Sequence, residues 1–91
     1  MEFEWDENKN EINKQKHGIA FEEAKTAFLD SEMITKEDNR KDYGEIRFIG
    51  IGKILEQIIV ITYTIRITII RLISARKANQ KEKQIYHERK N

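Results

Sequence analysis

Arg47, Arg66, Arg71, Arg76 and Lys77 are cations set among apolar, strand-forming residues, with Tyr63 in the same region and His17 upstream. That set suits cleavage of RNA without a metal. The neighbouring 2′-hydroxyl is then the nucleophile, so three tasks remain. Its proton must be removed, the extra negative charge of the phosphorane must be held, and the leaving 5′-oxygen must be protonated. Guanidinium groups meet phosphate oxygens with a two-pronged, permanently charged fork. In a partly desolvated groove they stabilise the developing charge. His, Tyr or a Lys of lowered pKa can move the protons. DNA lacks the 2′-hydroxyl and would not be cut this way.

Rival chemistries lack their residues. There is no Walker loop, no Rossmann glycine pattern and no nucleophile elbow. His17 and His87 stand seventy residues apart and the chain has no Cys, so no metal-ligand spacing exists and no cofactor is expected.

Arg71 poses the sharpest question. In "IIRLISA" strict alternation puts Arg71 with Ile69, Ile73 and Ala75, and Ile70, Leu72 and Ser74 on the other side. Both faces are mostly apolar, which marks a central strand, where a cation is costly unless paired or turned into a wet cleft. Two readings stay open: an ion pair with Glu45 or Glu37, or a guanidinium awaiting a phosphate. His17, just before Gly18, can equally be a cation favoured by a helix dipole. Tyr63 can equally be a half-buried strand aromatic.

The elements that must position these residues are legible in outline. "WDENKNEINKQKHG" reads as a helix with Asp6 as N-cap and Gly18 at its C-terminal stop. Trp5, Lys9, Ile12 and Lys16 share a face, with Asn13 beside them, and Ile12 is the one aliphatic residue. Lysine stems over the indole would explain that face. "AFEEAKTAFLD" is a second helix with Phe21, Ala24, Ala27 and Phe28 as its core stripe. Ala20 at its start forgoes a side-chain cap, worth about 1 kcal/mol.

Period two then takes over. "EMITKE" and "EIRFIGIG" are strands, with "DNRKDYG" as the loop between them and Gly52–Lys53 as a turn. "QIIVITYT" and "IIRLISA" are two more strands, folding back within 65–68. The Ile-rich run 58–75 is broken by Arg66, Arg71 and several Thr, so it reads as sheet and not as a membrane span. "RKANQKEKQIYHERKN" closes the chain as a basic helix anchored by Ala78, Ile85 and Tyr86, with Lys81, Lys83, Arg89 and Lys90 on a solvent face. The expected fold is α+β in a single domain, 1–91: two N-terminal helices, an antiparallel meander of about four strands, and a C-terminal helix.

Charge is divided along the chain. Residues 1–45 hold seven Lys/Arg against thirteen Asp/Glu, and residues 46–91 hold ten against three. The basic half suits a polyanion, or the halves neutralise each other in the fold. Absence of Cys fits a reducing cytoplasm, and the acidic start "MEFEWDENKN" has no signal-peptide pattern.

Two blocks carry a resemblance. "FEWDENKNEINKQKHGIAFEEA" and "ITYTIRITIIRLISARKANQKEKQIY" are similar to the signature blocks of the BrnT family of ribonuclease toxins from type II toxin–antitoxin pairs. The first block matches at Trp5, Asp6, Lys9, Asn13, Lys16, His17 and Gly18, among others. The second matches at Tyr63, Arg66, Arg71, Ser74, Ala75, Arg76, Ala78 and Tyr86. The resemblance implies a RelE-like fold, a metal-independent ribonuclease that arrests translation, and a bacterial cytoplasm. It also implies a cognate BrnA-like ribbon-helix-helix antitoxin, which would supply the only contact with DNA and any oligomerisation.

Catalytic roles are expected for Arg71, Arg66, Arg76, Arg47, His17 and Tyr63, and RNA-binding roles for Lys9, Lys16, Lys77 and Trp5. The chain departs from the family pattern at Ala20 and at Ile67–Thr68, where a polar, glycine-bearing turn is usual. The rival readings are a non-catalytic module that pairs with an antitoxin, and an RNA-binding sheet using Phe48 and Tyr63 as stacking platforms.

Overall fold

A computed structural model describes residues 1–89, the side chain of Arg89 excepted; Lys90 and that side chain, both assigned above to a solvent face, lie outside the described residues. The elements are β1 (Glu2–Glu4), α1 (Glu7–His17), α2 (Phe21–Ala24) with a 3-10 turn (Lys25–Leu29), β2 (Ile34–Glu37), β3 (Arg47–Ile54), β4 (Gln57–Arg66), β5 (Ile69–Lys77) and α3 (Gln80–Arg89). The fold is α+β. Strands β2 to β5 form the expected antiparallel meander. The sheet is nevertheless five-stranded and mixed, in the order β1-β5-β4-β3-β2, because β1 adds in parallel to the edge of β5. A three-residue strand with one apolar side chain, Phe3, is too short to show a period. Among the described residues no helix is long and apolar enough to cross a membrane.

Helices cover both faces of the sheet. On one face Phe21, Ala24 and Ala27 pack on Ile59, Ile61, Tyr63, Leu72 and Ala75, with Phe3, Trp5 and Phe28 at the margin. On the other face Tyr86 and Ala78 pack on Ile51, Ile58 and Val60. The second helix is shorter than its sequence suggests, since it tightens to 3-10 geometry at Lys25. Gly52 does not mark a turn. A Cβ there would stand 3.2 Å from the Cβ of Ala27, so the glycine lets the 3-10 segment lie close on the sheet. β3 runs on to Ile54, and the reversal falls at Leu55–Glu56, with Leu55 at φ 51°. The next reversal lies within 65–68, as expected, with Ile67 at φ 60°.

α1 packs in an unexpected way. Its Asp6 cap accepts from the amides of Asn8 and Lys9, and Gly18 ends it at φ 71°. Its buried residues are Asn10 and Asn13, while Ile12 is exposed. The Asn13 amide donates to the carbonyls of Ile19 (2.9 Å) and Ala75 (2.8 Å) and accepts from the Ala75 N–H (3.1 Å). Beyond its three residues of pairing with β1, the edge of β5 thus finds an amide where a neighbouring strand would be. Asn10 accepts from the Phe21 N–H at 2.8 Å, which supplies α2 with the cap that Ala20 lacks. Over the Trp5 ring stands the ammonium of Lys25, with its Nζ 5.9 Å from the ring centroid.

Candidate functional site

A β-bulge in β5 decides which side chains meet. Thr62 faces Ser74 across the β4–β5 ladder, but Tyr63 faces Leu72, so Ile73 is the extra residue. The strict alternation expected for β5 therefore fails. Leu72 and Ala75 both point into the core under α2, while Arg71, Ser74 and Arg76 share the opposite face.

That opposite face holds a cleft of about 720 Å³. Its floor is Ile34, Ile49, Ile51 and Val60, with Thr62 and Ser74. Lys16 and His17 line it from the end of α1, Lys36 and Arg40 from β2 and the following loop, Arg76 from β5, and Lys81, Glu82 and Ile85 from α3. Asn13 fastens the last turn of α1 to β5, which brings Lys16 and His17 beside Ser74 in a shallow extension that also reaches Lys9. Lys81 is exposed, as read from sequence, and also lines the cleft, while Ile85 lines it and Tyr86 does the anchoring.

Charge in the cleft is one-sided. Glu82 is the one acid among its described lining residues, and it is engaged twice. It accepts from Arg76 through both guanidinium arms, at 2.8 and 2.7 Å, and from the Asn79 N–H at 2.9 Å. Asn79 in turn accepts from the Glu82 N–H, so the pair is a capping box that starts α3. The Arg76 guanidinium holds the Glu82 carboxyl below its ordinary value, and Glu82 holds Arg76 above its own. Arg40 is bound by Asp38, whose carboxyl the fork keeps far below the usual range. Lys16, Lys36, Lys81 and His17 make no ion pair among the described residues.

The expected catalytic and RNA-binding residues divide. Arg76, His17 and Lys16 line the cleft. Arg47 and Arg71 flank Thr64 on the same sheet face but toward the other end of the strands, with Arg66 beyond them. All three have carboxylate partners there. Arg71 pairs with Glu4 at 3.0 Å, neither with Glu45 nor with Glu37, because β1 brings Glu4 directly alongside it. Arg47 and Arg66 share Glu45, each at 3.4 Å, and the Arg47 guanidinium lies 4.1 Å from the Tyr43 ring centroid. Lys77 lines a separate hollow with Lys83 and His87.

Tyr63 and Trp5 lie on the other side of the sheet. Tyr63 stacks on Phe48 (5.5 Å) and meets Phe28 edge-on (5.0 Å), with its hydroxyl pushed up by burial. Trp5 meets Phe21 edge-on at 6.0 Å. Tyr63 is therefore core and the half-buried Phe48 packs against it, which removes the stacking platforms of an RNA-binding sheet. Lys36, Arg40, Thr62 and Asn79 were missed. Lys36 was legible, since it falls in the register of the cleft face once the meander is drawn; Arg40 sits in a loop whose course no period reveals.

No curated protein matches this chain. A family model described as ribonuclease toxin, BrnT, of type II toxin–antitoxin system matches residues 5–82, from the indole at the head of α1 to the capping-box Glu82. That span includes every cleft residue except Ile85, and with it the chain belongs to the BrnT family of ribonuclease toxins.

Proposed function

We propose that the chain is a metal-independent endoribonuclease, cutting RNA by attack of the 2′-hydroxyl in the cleft between α1, α3 and the sheet. Membership of a type II toxin–antitoxin family implies an RNA substrate and an antitoxin protein as partner. Translation arrest, a RelE-like single domain, and a BrnA-like ribbon-helix-helix antitoxin that carries the DNA contact are parts of the same proposal.

One observation carries it: Lys16, His17, Lys36, Arg76 and Lys81 converge on one hollow whose one acid among the described residues, Glu82, is already held by Arg76. His17 brings an imidazole, a group able to serve in general acid–base catalysis. The lysines neutralise phosphates flanking the scissile one. Arg76 has five N–H donors, of which three are taken by Glu82 and the Lys77 carbonyl, so two remain for phosphorane oxygens. Purified protein is expected to cleave single-stranded RNA in excess EDTA and to leave 2′,3′-cyclic phosphate ends. Uncut RNA, or cleavage that EDTA abolishes, defeats the proposal.

A second reading has its own support. Arg47, Arg66, Arg71 and Arg76 all have carboxylate partners, as in a module that binds an antitoxin without cutting RNA. Induction without the antitoxin separates the two: growth arrest favours the nuclease, and a harmless chain favours the module.

A further inference from the structure

One row of the sheet crosses the cleft floor from end to end. Ser74 faces Thr62, Thr62 faces Ile49, and Ile49 faces Lys36, so four strands contribute one residue each on the same face. At a strand spacing of about 4.8 Å the row spans about 14 Å. His17 and Lys16 flank the Ser74 end. Lys36 closes the other end.

The middle of the row is chemically distinct. The hydroxyls of Thr62 and Ser74 stand side by side, half-buried, on an otherwise aliphatic floor, and neither has a hydrogen-bond partner among the described residues. Thr64, two residues along the same face, shows the contrast: its hydroxyl donates to the Ile46 carbonyl at 2.6 Å. The bulge at Ile73 is what turns Ser74 toward Thr62. An aliphatic floor carrying two open hydroxyls, with a cation at each end, fits a flat base whose polar edge is read from below and whose phosphates lie outward.

We infer that Thr62 and Ser74 read the edge of one nucleobase, and that Lys36 binds the phosphate on the far side of that nucleotide from His17. The two hydroxyls are specificity-determining, and Lys36 contributes affinity without selectivity. This rests on the reading of the cleft as an RNA site, but its test needs no cleavage.

The probes are 2′-fluoro homopentanucleotides of A, C, G and U, which lack the attacking hydroxyl. Wild-type protein is expected to prefer some of the four. Thr62→Val keeps the branched shape and removes the hydroxyl; combined with Ser74→Ala it should weaken the preferred probe about tenfold and level the four affinities. Ser74→Ala alone, the milder change, should level them in part. Lys36→Ala should weaken all four alike and lower the slope of log affinity against log salt by about 0.7.

Equal wild-type affinities overturn the inference. So does a preference that survives in the folded double variant or, should that variant not fold, in Ser74→Ala. An unchanged salt slope in Lys36→Ala removes the phosphate contact. A wild type that cuts RNA while the variants keep its preference sinks this inference alone. Selective binding that the variants lose, without any cutting of natural RNA, sinks the nuclease alone and leaves the base-reading floor standing.

Discussion

The side-chain amide of Asn13 and the backbone of Ala75 bond in both directions, Nδ2 to carbonyl at 2.8 Å and N–H to Oδ1 at 3.1 Å, as two strands would. This contact, and not an apolar stripe, holds α1 to the sheet and sets Lys16 and His17 at the cleft. Asn13→Ala would strip partners from the Ala75 N–H and from the carbonyls of Ala75 and Ile19, all in buried bonds. A buried unsatisfied group costs about 1–3 kcal/mol. The expected loss is about 2–4 kcal/mol, a fall in melting temperature of about 10 °C or more for a domain of this size. A variant melting within about 2 °C of wild type would show that α1 is held by other means.

Arg76 and Glu82 make stability depend on pH in a fixed sense. Arg76, first, and the Asn79 N–H keep the Glu82 carboxyl below its ordinary value in the folded chain. The unfolded chain therefore takes up this proton at higher pH than the folded one, and stability rises with pH across that interval. The contribution is complete above the ordinary Glu value of about 4.3 and is lost as pH falls below it. Asp38, lowered by Arg40, adds a slope of the same sign. Glu82→Gln is expected to flatten the acid limb of a plot of denaturation midpoint against pH and to leave the Asp38 part. An acid limb as steep as in wild type would mean that the pair contributes nothing.

Arg71 and Arg76 should separate in kinetics. Arg76 lines the cleft, whereas Arg71 lies outside it and meets Glu4 at a partly exposed site. Removing a preorganised donor to a transition-state oxyanion typically costs about a hundredfold to a thousandfold in turnover. Arg76→Ala should show a loss of that order, with α3 still helical because Asn79 and Glu82 keep their box. Arg71→Ala should keep turnover within about tenfold and lose no more than about 1 kcal/mol of stability, the usual scale of an exposed ion pair. Cleavage rates and circular dichroism of both variants decide it, and the reverse ranking would move the reaction to the Arg47–Arg71 end of the sheet.

The two helical segments ahead of the meander, the meander itself and the apolar stripe under α2 were legible because side-chain period and capping residues carry that information locally; the opening strand β1 was not. Arg76 could be singled out because a cation among apolar residues needs an explanation, and Lys16 and His17 because they match the first block of the family resemblance. What escaped was long-range. Asn10 and Asn13 carry no apolar signal, since a hydrogen bond to a distant strand leaves no period. Glu4 joined Arg71 only through a parallel strand of three residues. A single extra residue, Ile73, reversed the parity of β5 between Leu72 and Ser74, and with it the side on which Arg71 and Ser74 meet. Tyr63 went astray for a different reason: its residue type suits proton transfer, but its register places it under Phe28.

Ile67 offers a test independent of chemistry. It holds φ 60° at the β4–β5 reversal and is 96% exposed, so no packing rewards the conformation. A β-branched residue in the left-handed region is a true outlier, and that region costs an L-residue about 1–2 kcal/mol. A glycine at this point would remove the cost, because glycine reaches positive φ freely. Part of the gain is cancelled by the greater freedom of glycine in the unfolded chain. Ile67→Gly is therefore expected to stabilise the fold by about 0.5–1 kcal/mol, read as a higher urea midpoint at unchanged slope. Ile67→Asn, which tolerates this region without the added unfolded-state freedom, should gain at least as much. If both variants unfold at lower urea than wild type, the tip at residue 67 does not carry the strain that its φ implies.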